Sequence, residues 1–249
     1  MTSLGVSGRG PAVIFSYDAA TGKYTISSSS ASASFDASGG SRAGQFDKYT
    51  LTSGTTTDEL RLFRNVASST YTGLRLSYLS YGIWSHSDSQ TGERELVYFL
   101  FGTPTATSDM PRTGSASYNT AVSGNIRDIK PTTDGVTEYA VGGSATFTAD
   151  FAAGTVGTEL TLVRSDNLAL GTYSGTGTIS ANQFTGIFSS TNPYFQSGSF
   201  MGGFFGPAAS EMGYTFFIRN YNPDPHAGAS VNYVDQSIIG VVVGTKATN

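Results

Sequence analysis

No cysteine occurs among the 249 residues, which excludes disulfides, thiol nucleophiles, Cys-ligated zinc and iron–sulfur clusters. Charge is scarce too. Asp, Glu, Lys and Arg make up 13% of the chain, with a net charge of −4. The 14 basic residues are scattered singly, whereas a nucleic-acid or anionic-membrane surface needs them clustered. Neither partner is therefore expected. No apolar run reaches the roughly 18–20 residues of a spanning helix. Met1-Thr2-Ser3 opens into Gly/Ser-rich sequence without the apolar core of a signal peptide. Leu, Lys and Glu are sparse, so a mostly helical protein is excluded.

What the chain does have is 34 Ser, 32 Thr and 31 Gly, far above ordinary usage for Gly. Alongside them stand 16 Phe, 14 Tyr and one Trp, enough apolar area for a core and too much for a disordered chain. Hydroxyl residues, glycines and aromatics in this mixture describe an all-β protein.

Read along the chain, residues 1–11 look like a flexible lead-in. Val13–Tyr17 and Lys23–Ile26 form a hairpin around Asp18–Gly22. A Ser/Ala/Gly-rich loop is expected over 27–44. Strands resume at Phe46–Leu51 and Glu59–Phe63, then Leu74–Trp84 faces Glu95–Phe101 across the polar connector Ser85–Arg94. Gly102–Pro111, with two prolines and no apolar period, reads as the best linker. Beyond it come eight evenly spaced candidate strands: Ser115–Val122, Glu138–Phe151, Thr155–Val163, Gly171–Ile179, Gln183–Phe188, Ser199–Phe205, Tyr214–Tyr221 and Ser237–Val243. That number and spacing predict an eight-stranded antiparallel β-barrel, with Gly175, Gly177 and Gly186 at its corners. Pro207–Met212, between Gly206 and Gly213, predicts one helical turn.

The segment GSFMGGFFGPAASEMGYTFFI (Gly198–Ile218) resembles the barrel signature of transferrin-binding protein B-like bacterial surface proteins. Gly202, Phe204, Phe205, Gly206, Pro207, Ala209, Glu211, Met212 and Gly213 sit on that pattern, with Phe205 where Tyr is usual. Met110–Tyr118, Ala145–Phe151 and Ile239–Lys246 support it. The resemblance implies a β-sheet handle domain over 1–108, a barrel domain over 109–249 and a binding lobe rather than an enzyme, expected as a monomer. It also implies a lipid-anchored or secreted protein of the outer-membrane surface, capturing an iron source beside a TonB-dependent receptor. The anchoring cysteine of such lipoproteins is not in this sequence.

Candidate ligand-binding residues follow from the two histidines. His86 lies in the polar connector after Tyr81 and Trp84, the arrangement of an axial haem ligand with aromatics for the porphyrin face. The plainer reading is an ordinary exposed loop histidine after a strand whose aromatics face the core. His226 sits between prolines in a rigid loop with Tyr221 close by, suited to a contact surface or simply to a turn. Tyr194 and Phe195 are adjacent aromatics in a turn, anchors for a protein partner if exposed. No intrinsic cofactor or metal is expected. The partner is haem, a haemoprotein or another protein, and a β-rich hydrolase requires a Ser or a carboxylate beside one of the histidines.

Overall fold

The computed structural model describes residues 2–6, 13–64, 74–130, 135–223 and 233–247. Seventeen strands are assigned among them, joined into two open sheets and one barrel, every pairing antiparallel. His226 lies outside the described residues. Among the described residues no helix is long and apolar enough to cross a membrane.

The first half builds two sheets. β1 (Thr2–Val6), β5 (Ser41–Ala43), β6 (Phe46–Ser53), β7 (Thr56–Phe63), β8 (Leu79–Asp88) and β9 (Arg94–Gly102) form one, in the order β1-β9-β8-β7-β6-β5. β2 (Ile14–Asp18), β3 (Lys23–Ser27) and β4 (Ser32–Asp36) form the other. Two expectations are corrected here. Residues 2–6 of the expected N-terminal lead-in are an edge strand paired to β9. The supposed loop over 27–44 holds β4 and β5, because Ala33 and Phe35 alternate with serine and bury their side chains. The expected linker joins β9 of the sheet to β10 of the barrel and is anchored on the way: Pro104 bridges Phe205, and the buried Thr105 donates its hydroxyl to the carbonyl of Gly206 at 2.6 Å.

Strand parity divides the six-stranded sheet into two buried faces. Leu60, Leu62, Trp84, Val97 and Phe99 pack with Phe15, Ile26 and Phe35 of the small sheet. Phe63, Tyr81, Ile83, Tyr98 and Leu100 pack with Phe205, Val241 and Val243 of the barrel. A sheet buried on both sides needs apolar residues at consecutive positions, which is why β8 and β9 read as near-continuous apolar runs.

All eight barrel strands appear where expected, most of them extended at their ends: β10 (Ser115–Lys130), β11 (Gly135–Asp150), β12 (Thr155–Arg164), β13 (Ala169–Ser180), β14 (Gln183–Ser189), β15 (Phe195–Phe205), β16 (Glu211–Pro223) and β17 (Tyr233–Lys246). β17 pairs with β10 and closes the circle. Phe147, Phe184, Phe200, Phe204 and Tyr214 fill the lumen, each 2% exposed or less. Full burial of one such ring stabilises by about 1.5–3 kcal/mol. Gly186 serves this packing rather than a corner, since a Cβ there would lie 2.3 Å from the Phe200 ring.

Candidate functional site

The Gly198–Ile218 signature folds into a junction between barrel and sheet. Gly206 adopts φ +71°, and a Cβ on it would meet the Tyr78 ring at 2.4 Å. The turn over Pro207–Ala209 is a 3-10 turn broken by left-handed Ala208 (φ 49°) and Ala209 (φ 57°), where a regular helical turn was expected. Non-glycine residues in that region are strained. Neighbours hold them: Asp109 Oδ2 accepts from the Ala208 N–H at 2.8 Å, and Tyr118 donates its hydroxyl to the Ala209 carbonyl at 2.7 Å. Just after the turn, Glu211 is 4% exposed and points at the sheet. Its carboxylate accepts the backbone N–H groups of Ser77, Tyr78 and Leu79 at 2.5, 3.0 and 2.8 Å. One buried carboxylate thus clamps the entry to β8 onto the barrel.

His86 lies within β8, not in the connector. β7 and β9 extend the ladder around it, His86 standing opposite Asp58 and Glu95. Its Nδ1 is 2.9 Å from Asp58 Oδ1, which also accepts from Trp84 Nε1 at 3.0 Å. A carboxylate oxygen offers no proton, so Nδ1–H is the donor. The His86 side chain is 15% exposed and Trp84 is fully buried. Tyr81 points to the opposite face, stacked on Phe63 at 4.8 Å. The expected cluster of Tyr81, Trp84 and His86 is therefore not assembled, because parity sends residues 81 and 84 to different faces. Asp58 was missed although it carried a signal: it falls in phase with Leu60 and Leu62, a charge on the buried positions of an alternating strand. It supplies the carboxylate that the hydrolase reading required. No serine hydroxyl among the described residues has a hydrogen bond to His86.

At one end of the barrel lie the connections of β12 to β13 and of β14 to β15, with the last residues of β16 and the first of β17. Tyr221 is 42% and Tyr194 38% exposed, and the Tyr221 N–H donates to the Tyr194 carbonyl at 2.8 Å. Beside them Arg219 forms a two-pronged pair with Asp235 at 2.9 and 2.7 Å. Across the rim, Arg164 lies 4.0 Å over the Tyr139 ring and reaches Asp128 at 3.1 Å and Asp166 at 2.9 and 2.7 Å. That guanidinium holds the Asp166 carboxyl down at about 2. Beneath the rim the lumen turns polar: Asn220 donates to Tyr173 Oη at 2.8 Å, which donates to the Leu170 carbonyl at 2.9 Å. The rim gathers tyrosine and arginine, the composition of protein-contact hot spots. Sequence reasoning named Tyr221 and Tyr194 separately, and the β15–β16 pairing brings them together.

Residues 110–246 match the family described as the C-lobe and N-lobe β-barrels of Tf-binding protein B, more than half of the chain. Among solved structures, a double mutant of transferrin binding protein B from Haemophilus parasuis Hp5 is 14% identical, with a TM-score of 0.56, over 98% of this chain and 45% of that one. A single mutant of the same protein is 16% identical, TM-score 0.52, over 87% and 39%. The isotype 1 protein from serogroup B Neisseria meningitidis is 15% identical, TM-score 0.52, over 99% and 43%. The chain spans about two fifths of the length of these structures. At such identities the likeness is one of fold. No curated protein matches the chain.

Proposed function

The chain belongs to the family of transferrin-binding protein B β-barrel lobes, and from that premise we propose that it is a non-enzymatic binding protein of the bacterial surface, lipid-anchored or released. Its ligand is an iron-carrying protein, with transferrin the first to test. The observation that carries this reading is the exposed Tyr194–Tyr221 pair beside Arg219 on a barrel whose lumen is filled with rings. A filled lumen leaves the outside as the contact surface, and rigid exposed tyrosines are efficient anchors for a protein partner. Passing the iron source to a TonB-dependent receptor is the downstream step of this reading.

Biosensor binding to iron-loaded transferrin and to haemoglobin tests it. The Tyr194→Ala/Tyr221→Ala variant is expected to bind at least about tenfold more weakly, the loss of one good anchor. Full-strength binding by that variant would remove the rim from the proposal, and no binding of either protein by the parent chain would remove the iron carrier.

One observation favours haem as a second reading. Asp58 engages His86 Nδ1, the arrangement in which a carboxylate supports a metal-ligating histidine. A Soret shift on mixing with haemin, lost in His86→Ala, is the expected result. Trp84 and Tyr81 take no part, being buried on opposite faces.

A further inference from the structure

The exposed tyrosine pair at the rim stands on a turn whose shape is written in its residues. Asn192, Pro193 and Tyr194 lie in the connection of β14 to β15, and Phe195 opens β15. The Phe195 N–H donates to the Asn192 carbonyl at 3.0 Å. That closes a β-turn with Asn first, Pro second and Tyr194 third, the positions at which Asn and Pro are favoured. The Asn192 side chain adds a bond inside the turn, its Oδ1 accepting the Tyr194 N–H at 3.0 Å. Asn192 is itself held: its N–H donates to Ser190 Oγ at 3.2 Å, and the Ser190 hydroxyl donates to the Thr172 carbonyl of β13 at 2.8 Å. From the other side, the Tyr194 carbonyl accepts the Tyr221 N–H at 2.8 Å and Gln196 Nε2 at 3.3 Å.

Both polar groups of the Tyr194 backbone are therefore occupied, while its ring stays exposed. Tyr221 is stiffened from beneath, because the preceding residue, the buried Asn220, donates across the lumen to Tyr173 Oη on β13. A ring carried on a fixed backbone has little freedom left to lose when a partner covers it, and that ordering cost is what preorganisation removes. Truncating Asn192 would leave the main-chain bond of the turn and the fixed φ of Pro193 in place. What it releases is the Tyr194 N–H, so the effect falls on the presentation of one ring rather than on the fold.

We propose that Asn192 is a positioning residue of the rim, acting through Tyr194 by holding its ring beside Tyr221 in the conformation a protein partner meets. The role rests on the rim being the protein-contact surface. In the free chain, Asn192→Ala is expected to raise fast backbone motion at Tyr194, measured by amide nitrogen relaxation, with the urea midpoint nearly unmoved, as for substitutions outside the core. The same variant should bind iron-loaded transferrin or haemoglobin about fivefold more weakly, the cost of ordering one side chain on binding. Asn192→Asp keeps an acceptor for the Tyr194 N–H and should restore both readouts. In a Tyr194→Ala background, Asn192→Ala should weaken binding no further, since it acts only through that ring. The proposal is overturned if Tyr194 is as rigid in Asn192→Ala as in the parent, or if that variant binds at parental strength. Failure of Asn192→Asp to restore rigidity, or a further loss of binding in the Tyr194→Ala background, would also overturn it. No binding of either protein by the parent chain would sink the iron-carrier reading instead, and the relaxation data would then decide the positioning role by themselves.

Discussion

The barrel and the sheet packed on it bury their aromatics by opposite means. Closure pairs every barrel strand on both sides, so no edge remains and the large rings point into one sealed lumen. The six-stranded sheet stays open at β1 and β5 and buries its aromatics on two faces, under the small sheet and against the barrel. Aromatic rings reach solvent at the rim of the closed structure, as Tyr194 and Tyr221, and on the edge strand β2 of the small open sheet, as Tyr17. Closed and open β-structure thus expose tyrosine rings at different boundaries, the barrel at its rim and the small sheet at its edge strand.

The sharpest way to break this contrast is to empty the lumen. Phe204→Ala is expected to cost about 3–5 kcal/mol, whereas Tyr17→Ala at the open edge should cost under about 0.5 kcal/mol, as for surface substitutions generally. Equal shifts in urea midpoint for the two would erase the distinction. Next in size is the clamp between the two regions. Glu211→Gln should cost about 1.5–3 kcal/mol, the range for a hydrogen bond to a charged group, with faster amide exchange confined to residues 77–79. Uniformly faster exchange across the barrel would mean that Glu211 supports the barrel itself.

A smaller effect separates the regions by pH. The raised Tyr49 value of about 12 means the folded state holds a proton that the unfolded state releases near pH 10. That contribution is complete below about pH 10 and is lost as pH rises toward about 12. Burial also raises Tyr118 and Tyr214 in the barrel, so alkaline unfolding should begin above about pH 10 in both regions. Tyr49→Phe should soften that loss, as followed by phenolate absorbance and circular dichroism. An unaltered pH profile would show that the barrel phenols govern it alone. The smallest effect is expected at Asp166→Asn. The depressed Asp166 value gives stability present above its ordinary range and lost as pH falls toward about 2. At this exposed carboxylate the destabilisation should be small, present at neutral pH and shrinking as pH falls toward about 2, where the two proteins converge; a difference that persisted or grew at acid pH would contradict it.

Much of the fold was legible because period-2 alternation is a local property. The eight barrel strands and the junction signature could be read from residues 110–246 before any contact was known. Legibility failed where a strand was built from small polar residues. Ser32–Asp36 looks like loop filler, yet pairing to β3 turns Ala33 and Phe35 inward. Likewise the polar run from Ser85 to Asp88 hides the end of β8, which persists because Thr56–Asp58 and Arg94–Leu96 supply its hydrogen-bonding partners.

By itself, then, the sequence determined an all-β chain, eight barrel strands, a glycine-proline turn between β15 and β16, and a family likeness carried by it. Composition and spacing within about twenty residues suffice for these. Tertiary structure alone decided that His86 meets Asp58 across 28 positions, that Glu211 grips Ser77 across 134, and that Tyr17, Tyr24 and Tyr49 form one row. Such meetings depend on register between distant strands, and a shift of one residue would turn every one of those side chains to the other face.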